Sequence, residues 1–164
     1  MEAAPHSSAH HPGSHNYRRL AVELAIDFAV MYFVMYTMIA TGRHLRLNLN
    51  NVYMTLMMVA PMAIIMMVAM RSMFPNRRAN LTAMTVAAAV FVASFVAMRT
   101  QAGIGDREFL RSMIPHHSGA ILMCREAAIT DPELVALCKE IVRSQTAEIA
   151  QMEAILQRRS EPRT

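Results

Sequence analysis

Three blocks of apolar sequence, joined by short polar links, constrain this chain more than any other feature. They run from about Leu20 to Ala40, from Val52 to Met70 and from Leu81 to Met98. About 20 residues of helix cross the hydrocarbon core of a bilayer, and each block is close to that length. Backbone groups in a bilayer must be satisfied within their own segment, so each block is predicted to be a membrane-spanning helix. The apolar share, 54% of 164 residues, exceeds that of an ordinary soluble domain. Its division into blocks points to spans, not to one core. The second and third blocks carry no charge; the first carries Glu23 and Asp27. The links, Thr41 to Asn51 and Arg71 to Asn80, are short enough to make neighbours antiparallel. The first block is long and lacks a small-residue cleavage site, so it is expected to remain as a signal anchor.

The formal charge is +4 and the pI about 9.6. The basic residues sit mostly beside the apolar blocks, which is membrane patterning and gives no case for nucleic-acid binding. Arg18 and Arg19 flank the first block, and Arg71, Arg77 and Arg78 lie in the second link; the first link holds Arg43 and Arg46. The positive-inside rule therefore places the N-terminus in the cytoplasm, and three crossings place residues 99–164 outside.

Residues 1–17 are polar and rich in Ser, Pro and His, and are expected to form a disordered tail. His6, His10, His11 and His15 make it a candidate weak, exchangeable metal-binding segment, or simply a solvated tail. Residues 18–99 form the three-span domain and 100–105 a glycine-containing linker. Asp106 is a candidate N-cap for a helix from about Arg107 to Ile129. Asp131, Pro132 and Glu133 supply an N-cap, a first-position proline and a first-turn acid for a second helix reaching about Gln157. Residues 106–158 are thus a helical hairpin and 159–164 a tail. The predicted fold is all-α: three transmembrane helices followed by an external antiparallel hairpin.

The hairpin carries the densest chemistry. Met113-Ile114-Pro115-His116-His117 is followed by Met123-Cys124. Imidazole, thioether and thiol together are a soft ligand set that suits copper, above all Cu(I). Folding the hairpin about Thr130–Asp131 sets Cys124 opposite Cys138, His117 opposite Ser144 and Gln145, and Met113 opposite Glu148. His116 points about 100° away from His117, toward the side of Met123. Pro115 removes a backbone hydrogen bond and is expected to bend the helix. Methionines at helical spacing also pack cores, and an interface histidine can be a satisfied core residue. Cys124 and Cys138 have three readings: a disulfide, thiolate ligands, or small buried apolar residues.

Methionine also marks the spans, with seventeen in the chain. Asp27, Met31, Met35 and Met38 fall within about 80° of arc on the first. Met54, Met58, Met62, Met66 and Met70 recur every fourth residue on the second. An ionisable group within a span is a functional candidate, so Asp27 is expected to face protein and not lipid. Ala89, Ala93 and Ala97 give the third span a small-residue face for close packing.

The run from Phe109 to Met123, with Asp131-Pro132-Glu133-Leu134 and then Ile141, Gln145, Glu148-Ile149 and Met152, resembles the bacterial family catalogued as domain of unknown function 305. The resemblance covers residues 106–157. It implies a ferritin-like helical arrangement, here a half-bundle, on a three-span anchor. It also implies a copper link, with His116, His117, Met113, Met123 and Met152 as ligands. Gln145 and Glu148 would orient the imidazoles from behind. A hairpin of about fifty residues buries little apolar surface, so pairing of two chains into a four-helix bundle is expected, as a homodimer or higher oligomer. The expectation is a multi-pass protein of the bacterial cytoplasmic membrane that sequesters copper or hands it over on the outer side, to a metallochaperone that the sequence does not name. Two other readings stand beside it: an assembly subunit without metal, and a copper transporter using Asp27 and the methionine stripes. No catalytic constellation is evident, so an enzyme is not expected.

Overall fold

The computed structural model describes residues 12–160, and they form helices without strands. Helix α1 spans Pro12–Val34 and tightens into a 3-10 turn at Met35–Met38. A 3-10 turn at Gly42–His44 leads to α2, Leu49–Ala69. Another at Arg71–Met73 leads to α3, Arg77–Thr100. Helix α4 is Asp106–Glu126 and α5 is Pro132–Ser160. Three segments are long and apolar enough to cross a membrane: His15–Met38, Leu49–Ala69 and Arg77–Thr100.

Helix begins earlier than the polar sequence suggests, at Pro12, within the stretch expected to be tail. Pro12 has the fixed φ that suits a first helical position, and the next turn is tied down. Asn16 donates to the Met73 carbonyl at 2.8 Å, and the Tyr17 hydroxyl meets Asn80 Oδ1 at 2.6 Å. The Tyr17 ring lies 5.2 Å from that of Phe74. Leu20, Met67 and Phe74 form a small core there, with Met66, Met70 and Met84 against it. Part of the methionine richness is therefore packing material at this end of the spans.

At the opposite end, tyrosines staple the first link. The Tyr36 hydroxyl donates to the Arg46 carbonyl at 2.9 Å and accepts from Asn48 Nδ2 at 3.1 Å. Asn48 caps α2 by accepting from the Asn51 amide at 2.9 Å. Helix α3 ends with Gln101 in the left-handed region (φ 53°), and the Ala102 amide reaches back to the Ala97 carbonyl at 2.9 Å, a helix-terminating 6→1 bond. Gly103 also has positive φ, 71°, and an added Cβ would lie 3.3 Å from Leu49. Tyr53 donates to the Ala102 carbonyl at 2.7 Å, and Asn50 and Gln101 exchange two bonds of 3.2 Å. The linker is thereby fastened to the start of α2, and it aims α4.

Two details of α4 differ from expectation. Gly105 occupies the N-cap position without a side-chain cap, and Asp106 is the first helical residue, paired with Arg159 at 2.8 Å. The helix ends at Glu126, short of Ile129, and continues without interruption through Pro115. Asp131 caps α5 by accepting from the Glu133 and Leu134 amides at 2.9 and 3.1 Å. Contacts between α4 and α5 pair early residues of one with late residues of the other: Asp106 with Arg159, His117 with Glu148, Cys124 with Cys138. Between them Leu110, Ile114, Ile121, Ile149 and Met152 form a second core.

Candidate functional site

Helix α4 does not stand apart from the spans. Ser118, fully buried, accepts the Ala40 amide at 2.8 Å and meets His44 Nδ1 at 2.8 Å. Next to it, Gly119 lets the helix approach the end of α1: a Cβ there would lie 3.3 Å from the Met38 carbonyl. Arg46 pairs with Glu153 of α5 at 3.2 Å. The first link and the α4–α5 pair therefore meet at one end of the spans. His44 and Ser118 carry this junction. Neither stands out in sequence, since the partners are 74 residues apart.

At the junction lies an open cleft of about 500 Å³. Met35 and Met38 from the end of α1, Met54 from α2, Met98 from α3, and Met113 and Met123 from α4 all line it. His116 is on the same wall, with Asn48, Asn51, Gln101 and Ser112 around it. Six thioethers and one imidazole share one space, drawn from four helices.

The two adjacent histidines have different environments. His117 is buried at 8% exposure. Its Nδ1 lies 2.9 Å from the Met113 carbonyl and its Nε2 2.7 Å from the Glu148 carboxylate. Both ring nitrogens are thus engaged by oxygen. His116 is exposed and lines the cavity, its ring 6.0 Å from that of His117 and inclined by 64°. The 100° step between neighbours on a helix separates them.

The register between α4 and α5 differs from the sequence expectation by about one turn. His117 meets Glu148, not Ser144 or Gln145. Side chains on a helix lean toward its N-terminus. In an antiparallel pair both leans add, so meeting residues have a larger index sum than the backbone fold point gives. The short Cys124 and Cys138 side chains, beside the turn, keep the simple register; they are joined as a disulfide with Cα atoms 5.2 Å apart.

Other sequence candidates fall elsewhere. Met152 is buried in the α4–α5 core beside Ile114 and Ile149. Gln145 is half-buried on α5, and Asp27 is half-buried on α1 without lining the cavity. His15 is exposed at the far end of α1, about 35 Å of helix from Met38. His6, His10 and His11 lie outside the described residues. Among the described residues no group of three or more His, Cys, Asp or Glu gathers to hold a metal. A metal site at the junction would have to be built chiefly from methionine.

Residues 65–156 match the family described as Domain of unknown function (DUF305). The chain belongs to this family. The match begins within α2, so it takes in α3 as well as the α4–α5 pair, further toward the N-terminus than the motif residues alone indicate. An uncharacterised protein of Acanthamoeba polyphaga mimivirus is 36% identical over 117 residues, covering 70% of this chain and 75% of that protein. No solved structure matches. For this DUF305 chain, the methionine-lined junction is the feature with the most chemical content.

Proposed function

We propose that this protein is a membrane-anchored binder of a soft metal ion, Cu(I) above others, acting in sequestration or handover and not in catalysis. The observation that carries the reading is the cavity with six methionines and His116 on its wall. Neutral thioethers suit a soft monovalent ion and offer little to Mg²⁺ or Ca²⁺, and one imidazole adds a stronger donor. His116 with Met113 would hold the ion from α4; Met123, about 15 Å further along the helix axis, would serve a second position in the cleft, with Met35, Met38, Met54 and Met98 available from the spans. His117 is a positioning residue: engaged by Glu148 and the Met113 carbonyl, it fixes the face that α4 turns to the cavity. Met152 is core, not ligand.

The α4–α5 pair is read as an external hairpin, a ferritin-like half-bundle, on a three-span anchor in the bacterial cytoplasmic membrane. The arginine distribution favours a cytoplasmic N-terminus and an outer hairpin, and a disulfide at Cys124–Cys138 suits that oxidising side. Docking on the first link gives the hairpin support within one chain. Dimerisation through the exposed Leu134 and Leu137 of α5 remains part of the proposal, though burial alone no longer requires it.

The test is Cu(I) competition titration of the purified full chain in detergent, wild type against His116→Ala and Met113→Leu/Met123→Leu. Stoichiometric binding weakened at least about tenfold in both variants is expected, in line with loss of a direct ligand. A wild-type chain that does not compete for Cu(I) would sink the reading and leave an assembly subunit as the better account.

A further inference from the structure

A second cleft of about 500 Å³ lies at the Asp106–Arg159 end of the α4–α5 pair, and its chemistry is the opposite of the first. Arg46, Arg107, Arg111 and Arg159 line it, with Glu153 and Leu156. Arg46 stands two residues before Asn48, the cap of α2. Arg107 and Arg111 follow the linker from α3, one helical turn apart, and Arg159 returns at the end of α5. Four guanidiniums thus converge where two spans end.

Their existing bonds leave donors over. Arg46 spends one terminal nitrogen on the Arg43 and Leu45 carbonyls, at 2.6 and 3.1 Å, and the other on Glu153 at 3.2 Å. Arg111 gives one nitrogen to Glu108 at 3.2 Å, and Arg159 one to Asp106 at 2.8 Å. A guanidinium has five N–H donors in a planar fork, so the remaining nitrogens of Arg111 and Arg159 are available. Arg107 is exposed and has no hydrogen-bond or ion-pair partner among the described residues. The charged side chains that line the groove are four cations and one anion, with Leu156 and Gln157 completing the lining.

We infer that this groove binds a phosphate group, specifically that of an anionic phospholipid headgroup at the membrane surface. Phosphate oxygens accept the paired N–H bonds that arginine forks offer. Leu156 gives an apolar wall beside them. Phospholipid phosphates lie at the ends of membrane spans on either face, within reach of guanidiniums placed there. The inference is independent of the metal reading.

The full chain in detergent is incubated with phosphatidylglycerol, with phosphatidylcholine, or with inorganic phosphate, and bound molecules are counted by native mass spectrometry. Wild type is expected to retain phosphatidylglycerol in preference to phosphatidylcholine. Arg107→Gln/Arg111→Gln should weaken that retention about 30-fold, and Arg107→Gln alone about fivefold, as loss of two and of one surface cation implies. Arg107→Gln removes no intramolecular bond, so it tests binding without threatening the fold. Arg143→Gln, on exposed α5 surface outside the groove, should change nothing. Retention of inorganic phosphate without phosphatidylglycerol, lost in the double variant, would support the phosphate site with a soluble anion as its source. Equal retention of both lipids, or an equal loss in Arg143→Gln, would overturn the inference.

Discussion

His117 on α4 and Glu148 on α5 meet at 2.7 Å while the other ring nitrogen of His117 lies 2.9 Å from its own helix's Met113 carbonyl. This arrangement locks one histidine between two helices and leaves its neighbour, His116, to the cavity. Glu148→Ala should therefore cost stability more than metal binding. Half of the Glu148 side chain is solvent-exposed, so the cost is expected to be ~1 kcal/mol, at the low end for a charge-assisted bond. Thermal loss of helicity in detergent measures it. Cu(I) affinity should stay within about threefold; a larger drop would place His117 and Glu148 among the ligands.

Ser118 joins the α4–α5 pair to the first link. Ser118→Ala removes the acceptor for the Ala40 amide and the partner of His44 in a site with no solvent. Leaving the part-buried Ala40 amide without its acceptor costs about 1–3 kcal/mol. The expected result is faster amide exchange at Ala40 and faster proteolysis in the linker, 100–105, with total helix content retained. Unchanged exchange at Ala40 would show that the apolar contacts alone hold the junction.

Gly119 gives a prediction whose sign depends on size. Ala at this position would touch the Met38 carbonyl at 3.3 Å, a mild crowding. The gain in helix propensity, up to about 1 kcal/mol, offsets it, so Gly119→Ala should be near neutral. Gly119→Leu cannot be accommodated without moving α4 off the end of α1. It should leave both helices formed and weaken Cu(I) binding about tenfold or more, because the cavity walls come from both sides of that contact.

The three long apolar helices were legible from length and apolarity, and the second helix start of the C-terminal part from Asp131-Pro132-Glu133, because those signals are local. The four-residue and one-residue spacings on α4 also separated His116 from His117 correctly in direction. The junction was not legible. Its tether is Ser118 with His44 and Ala40, ordinary residues whose meaning depends on a contact across 74 positions. Met35, Met54 and Met98 read equally well as packing residues, as Met66 and Met70 in fact are. Met152 shows the converse: the motif groups it with the candidate ligands, yet it packs in a core with Ile114 and Ile149. Pattern gives the face of a helix, but not which neighbour that face will meet.

The Cys124–Cys138 disulfide closes a short loop, with a sequence separation of 14. Restricting a loop of that size in the unfolded chain is worth about 3 kcal/mol. Cys124→Ser/Cys138→Ser should fray the turn between α4 and α5 and leave the His117–Glu148 end protected. Amide exchange resolved along both helices separates the two. Thiol alkylation of the unreduced wild type, with no label incorporated at either position, checks the bond itself.

A site at the junction and a site inside the α4–α5 pair use different methionines. Met→Leu keeps volume and apolarity while removing the sulfur, and such swaps usually cost less than about 1.5 kcal/mol. Met54→Leu and Met98→Leu lie on spans, outside the motif that defines the family resemblance, yet both side chains line the cavity with His116. Together they should weaken Cu(I) binding several-fold without lowering thermal stability appreciably. Met152→Leu, buried at 9% exposure in the α4–α5 core, should do neither. The opposite pattern, with affinity lost at Met152 and kept at Met54 and Met98, would return the ion to the interior of the α4–α5 pair. It would also require His117 to give up its bond to Glu148 when the ion binds.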